Sequence, residues 1–114
     1  MKTEDKKKIL SAYKERKITG GICAIKNTVT KKLLLEITTD IQGLKNRFEF
    51  SQKTGVPFSL LLQKDYTVYG VQSFSLEELE LITKEDTKTM EEFKEELNIL
   101  KEIWQEKFKT EDLY

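Results

Sequence analysis

The chain has 114 residues, 35% charged and 38% hydrophobic, with 20 Lys and Arg against 20 Asp and Glu, which suits one water-exposed globular domain spanning 1–114. No apolar run approaches the roughly 18 residues of a membrane span and no signal-peptide pattern precedes the first helix, so a cytoplasmic protein without membrane contact is expected. One cysteine excludes an internal disulfide and fits a reducing compartment, while the lack of histidine argues against an ordinary zinc site and removes the commonest general base near neutral pH.

In chain order, residues 4–16 predict a short helix with Ile9, Leu10 and Tyr13 on one side and Lys6, Lys7, Lys8 and Lys14 elsewhere. Gly20-Gly21 ends it and permits close backbone approach at the start of a strand over 22–27. There Ile22, Ala24 and Lys26 alternate against Cys23 and Ile25. Residues 27–31 connect to a second strand, Lys32 to Thr38, apolar enough to be central. Asp40 suits the N-cap of a helix to about Gln52, with Ile41, Leu44, Phe48 and Ser51 inward and Gly55-Val56-Pro57 closing it. Residues 58–68 suggest another short helix with Leu61, Leu62 and Tyr66 buried and Lys64-Asp65 outward, ended near Gly70.

Residues 73–82 fit two readings. One is a strand carrying Phe74, Leu76, Leu79 and Leu81 with an irregularity between; the other is a helix start with Ser75-Leu76-Glu77-Glu78 as capping box. Met90, Phe93, Leu97, Leu100, Trp104 and Phe108 recur at three- and four-residue steps, so 87–108 is a long amphipathic helix with Glu91, Glu92, Glu95 and Glu96 on its solvated face. The order α-β-β-α-α-β-α makes an α+β fold in which helices cover a small antiparallel sheet.

Charge is unevenly spread. Residues 1–57 hold 13 Lys and Arg and 6 Asp and Glu, a net +7, and residues 58–114 hold 7 and 14, a net −7. A basic half can mark a nucleic-acid face; equally, the halves can neutralise each other in the fold or in a dimer.

Several short motifs stand together. Gly21-Ile22-Cys23 is followed at set spacing by Leu34-Leu35-Glu36, then Thr38-Thr39-Asp40-Ile41, then Leu62-Gln63-Lys64-Asp65-Tyr66, Tyr69-Gly70, Phe74 and Glu102-Ile103-Trp104. This succession resembles the GIY-YIG nuclease superfamily over residues 20 to about 108, with 1–19 as an N-terminal helical extension. The resemblance implies a three-stranded antiparallel sheet flanked by helices, with 73–82 as its third strand. The lysine-rich first helix, Asn46-Arg47-Phe48-Glu49-Phe50 and the acidic last helix are further similar to small bacterial stand-alone members.

In active members of that family, a tyrosine of the first triplet takes part in proton transfer and a second tyrosine positions water. An arginine on the first core helix stabilises phosphate charge, and a late glutamate holds a divalent metal. Such groups answer a physical need, because the phosphodiester transition state gains negative charge. By the resemblance, Cys23 and Leu34 stand at the tyrosine positions and Glu36 at the glycine. Aligned by spacing, Leu44 stands at the arginine and Lys101 at the metal-binding glutamate. A one-residue slip to Lys45 turns the side chain about 100° away, whereas Arg47 shares the face of Leu44 and is the candidate rescue for the arginine. Glu36 either replaces the lost metal ligand or opposes phosphate entry. Cys23 reads as a small apolar filler, its nucleophilic alternative lacking a base. Tyr66, Tyr69 and Trp104 read as core or rim aromatics, with base stacking as the alternative.

The expectation is a GIY-YIG-like domain whose nuclease centre is degenerate: a non-enzymatic scaffold of unidentified partner, with weak nucleic-acid binding through Lys6, Lys7, Lys8, Lys14, Lys31, Lys32 and Arg47 and no metal or other cofactor. The rival from another class is a metal-dependent DNA endonuclease using relocated residues such as Glu36 and Arg47, which would need Mg²⁺. A third reading is a protein-interaction module built on the long acidic helix.

Overall fold

The computed structural model describes residues 18–114, so the helix expected over 4–16, with Lys6, Lys7, Lys8 and Lys14, lies outside the described residues. The chain runs β1 (Thr19–Asn27), β2 (Leu33–Thr38), α1 (Ile41–Thr54), a 3-10 turn (Leu60–Leu62), α2 (Gln63–Tyr69), a 3-10 turn (Val71–Ser73), β3 (Phe74–Thr83) and α3 (Met90–Glu106). The strands form one antiparallel sheet in the order β2-β1-β3, giving the expected α+β architecture of a three-stranded sheet flanked by helices.

The central strand is β1, not the more apolar β2. Ile22, Cys23, Ala24 and Ile25 are all fully buried because helices cover both faces of the sheet. Alternation sorts them: Ile22 and Ala24 meet Leu100 and Trp104 of α3, while Cys23 and Ile25 meet residues of α1 and α2. The two-sided cover also explains why edge strand β2 buries the adjacent Leu34 and Leu35. Gly20 and Gly21 lie inside β1 rather than before it, paired with Ile82 and Leu81 of β3.

Asp40 caps α1 as its sequence suggested, its carboxylate accepting the Gly43 N–H at 3.1 Å. At the far end Gly55 adopts φ 77° and donates its N–H to the Ser51 carbonyl, a left-handed close that favours glycine. Three expectations for the next helix fail. Residues 60–62 form a 3-10 turn instead of α-helix, which shifts the phase before Gln63. Leu62 and Tyr66 therefore point inward while Leu61 is exposed, and Asp65 turns partly in to accept from the Tyr114 hydroxyl at 2.6 Å.

Residues 73–82 are a strand, and its irregularity is a β-bulge. Glu80 pairs with Ile22 and Glu78 with Cys23, so Leu79 is the extra residue. Leu76 packs on the α1 side and Leu79 on the α3 side, and the bulge puts Glu80 on the α3 side as well, where it meets Trp104. The capping box sits on α3 instead, where Thr89 Oγ1 accepts the Glu92 N–H at 3.1 Å and Glu92 answers the Thr89 N–H. Helix α3 meets the sheet from Phe93 onward, so Met90 in the turn before it is left exposed, contrary to the periodicity. Past α3 the tail turns back along β2, with Leu113 bridging Leu33 and the Tyr114 N–H donating to the Leu33 carbonyl at 2.9 Å.

Candidate functional site

Directly opposed residues of an antiparallel pair share a face of the sheet. Cys23 faces Glu36 and Ile25 faces Leu34 across β1 and β2, so these positions line one surface. Helix α1 lies on it, packing Ile41 and Leu44 against Cys23. Leu34 belongs to the adjoining cluster of Ile25, Leu62, Tyr66 and Phe74. The fold thus brings together four of the five positions singled out in the sequence: Cys23, Leu34, Glu36 and Leu44. The fifth, Lys101, comes from α3 on the other side of the sheet and reaches round the β2 edge, beside Leu34, Leu35 and Leu61.

The lining is closed. Cys23 is 0% exposed, Leu44 2% and Leu34 5%. Burial pushes the Cys23 thiol above its ordinary value, and the Glu78 carboxylate adds to this while Lys45 opposes it. The thiol is thereby held protonated, the opposite of an activated nucleophile. Lys45, one residue on from Leu44, pairs with Glu78 of β3, the residue directly opposite Cys23.

Besides the Lys45–Glu78 pair, which stands opposite Cys23 on the β3 side, this face carries the charge of Glu36. Its carboxyl is pushed up by burial, with Lys101 and then Arg47 pulling it back down. No cation comes within 4 Å of it among the described residues. Arg47 sits one turn beyond Leu44 and stacks its guanidinium 4.5 Å from the centre of the Phe58 ring. A divalent cation does not fit this donor set: Glu36 lies near two cations and Glu78 is already paired with Lys45, which offers less than Mg²⁺ requires and repels it. Among the described residues no group of three His, Cys, Asp or Glu side chains gathers to hold a metal.

The raised carboxyl has a sign that can be tested. The folded state holds the Glu36 proton more tightly than the unfolded chain does, so its contribution to stability is complete below the ordinary value of 4.5 and is lost as pH rises through the folded value. Glu36→Gln is therefore expected to raise Tm relative to wild type at pH 7, and the gain should shrink toward pH 4. A difference independent of pH would show that burial of the charge is not what Glu36 costs.

Among the described residues, the cationic candidates do not form one patch. Lys31, in the turn after β1, has φ 68°, and Lys32 lies 5.8 Å from the Tyr114 ring centre. Glu36 and its neighbour Arg47 lie roughly 13 Å further along β2, at four residues of about 3.3 Å each. Tyr66 is buried with its hydroxyl 2.6 Å from Ser51 Oγ, and Trp104 stacks on Phe108 and donates to Glu80 at 3.1 Å. Both are packing aromatics; Tyr69 is partly exposed.

Sequence reading missed a polar cluster at the base of the hairpin. Asn27 is fully buried; its side-chain oxygen accepts the Val29 and Thr30 N–H groups, and its amide donates to Tyr114 Oη at 3.1 Å and Asp65 at 3.4 Å. The Asn-Thr opening of the turn signals the local half of this cluster, but nothing local signals the contacts to Asp65 and Tyr114.

No protein-family model matches the chain, and no curated protein matches it. Among solved structures, the chain is similar to the catalytic domain of intron endonuclease I-TevI in a mutant form, with TM-score 0.46 and 27% sequence identity over 71% of this chain and 86% of that one.

Proposed function

We propose that the chain is a non-catalytic GIY-YIG-like domain, a cytoplasmic scaffold that has lost phosphodiester cleavage and retains weak, salt-sensitive nucleic-acid binding. One observation carries this reading: the sheet face where the motif order would place two tyrosines and an arginine is closed by Cys23, Leu34 and Leu44, each at most 5% exposed. Cleavage needs cations and a positioned base at the transition state, and that floor supplies neither. Lys101 and Arg47 remain beside Glu36, where they favour an anion over a metal. Lys31 and Lys32 at the hairpin turn add cationic charge, as do Lys6, Lys7, Lys8 and Lys14 in the sequence.

The endonuclease reading retains one supporting observation, that Arg47 lies close enough to Glu36 to pull its carboxyl down. Plasmid DNA incubated with the purified protein in Mg²⁺ or Mn²⁺ separates the two. The scaffold reading expects no nicking above buffer, with binding to labelled oligonucleotides that weakens steeply as salt rises. Nicking that Glu36→Ala abolishes overturns it.

A further inference from the structure

The geometry points to a pocket for one unpaired nucleobase, set between α1 and residues 56–58, with Arg47 carrying the adjoining phosphate. This rests on the nucleic-acid reading above and narrows it to single-stranded or unstacked substrate. The cavity measures about 330 Å³ and is lined by Asn46, Arg47, Phe50, Val56, Pro57 and Phe58. Sites for small ligands span roughly 300–1,000 Å³, so the space suits a single flat ring system.

Its walls are of the right kind. Phe50 is 61% exposed and Val56 54%, so the pocket holds apolar surface that water wets and a planar base would cover. Arg47 is already stacked on Phe58 at 4.5 Å and makes no ion pair within 4 Å among the described residues. Glu49, on the same helix, is engaged by Lys53 at 3.0 Å. Arg47 is the cation that lines the pocket itself. Asn46 accepts from Gln42 through its carbonyl oxygen at 3.1 Å, which leaves its amide N–H groups without an acceptor among the described residues and free for a base edge. Stacking on an aromatic face beside a cation is how proteins hold unpaired bases, and a paired base has no free face to offer. Charge complementarity at Arg47 favours a nucleotide over an apolar peptide side chain.

The test measures anisotropy of labelled oligothymidylate and of a matched duplex with wild type, Phe50→Ala and Phe50→Trp. Phe50 is mostly exposed, so both variants are expected to fold, with Tm as the control. Wild type should prefer the single strand; Phe50→Ala should lose about tenfold in single-strand affinity, from a stacking contribution of roughly 1–3 kcal/mol per base, while Phe50→Trp keeps it. Duplex affinity should not move. If wild type binds nucleic acid but Phe50→Ala leaves single-strand affinity unchanged, the pocket assignment falls and the scaffold reading stands. If neither probe binds, both fall.

Discussion

Gly21→Ala is expected to cost about 3 kcal/mol or more, a large part of the stability of a domain this size, and to lower Tm by more than about 10 °C. Gly21 lies in the central strand, flanked by Thr38 of β2 and Leu81 of β3. Its φ is +155°, and a methyl placed there would overlap the Glu80 carbonyl oxygen and come within 2.9 Å of the Leu81 Cα. These neighbours are backbone, held by the sheet, and have no room to move. Gly55→Ala is the control. At φ +77° it is also strained, yet the nearest atom is a Val71 methyl at 4.0 Å, so about 1 kcal/mol is expected. Urea unfolding of the two variants decides the matter: equal losses would mean that crowding at Gly21 contributes nothing beyond backbone conformation.

Cys23→Tyr, a change toward the GIY-YIG triplet, is expected to destabilise by about 3 kcal/mol and to bring no plasmid nicking. The larger ring must enter a fully buried position beneath Ile41 and Leu44. Overpacking there costs roughly 1–3 kcal/mol, and an unpartnered phenolic hydroxyl about as much again. Adding Leu44→Ala should recover part of the loss, because the two side chains share one space. If Cys23→Tyr proves neutral, an open pocket survives beneath α1 and the closed-cleft reading proposed above is wrong.

The strongly periodic and capped parts of the fold were legible in the sequence. Asp40 and Gly55 bound α1 where local chemistry demanded, and the Phe93–Leu97–Leu100–Trp104 stripe does face the sheet. Residues 73–82 defeated local reasoning, since a strand with a bulge at Leu79 breaks the two-residue period on which recognition rests, and only the motif order favoured a strand. The rank of β1 over β2 was hidden for a related reason: apolar content reports burial, and both strands are buried, so only pairing tells the centre from the edge. At the candidate site the sequence identified residues that share a face but could not show how tightly it is shut. Phe50 and Phe58 fall in two successive segments read as helical, and the cavity that both line exists only in the fold. Asn27 meets Asp65 and Tyr114 across 38 and 87 residues, a distance no local pattern spans.

The chain's one tryptophan has a practical consequence. Trp104 joins α3 to the bulged strand through Glu80, with the Lys107 ammonium 4.1 Å from its ring centre. Its fluorescence therefore gauges whether the long helix is seated on the sheet, and it lies across the sheet from α1. Loosening of that helix and events in the α1 cavity can thus be followed by separate optical signals, the first by native emission and the second by a label on the oligonucleotide.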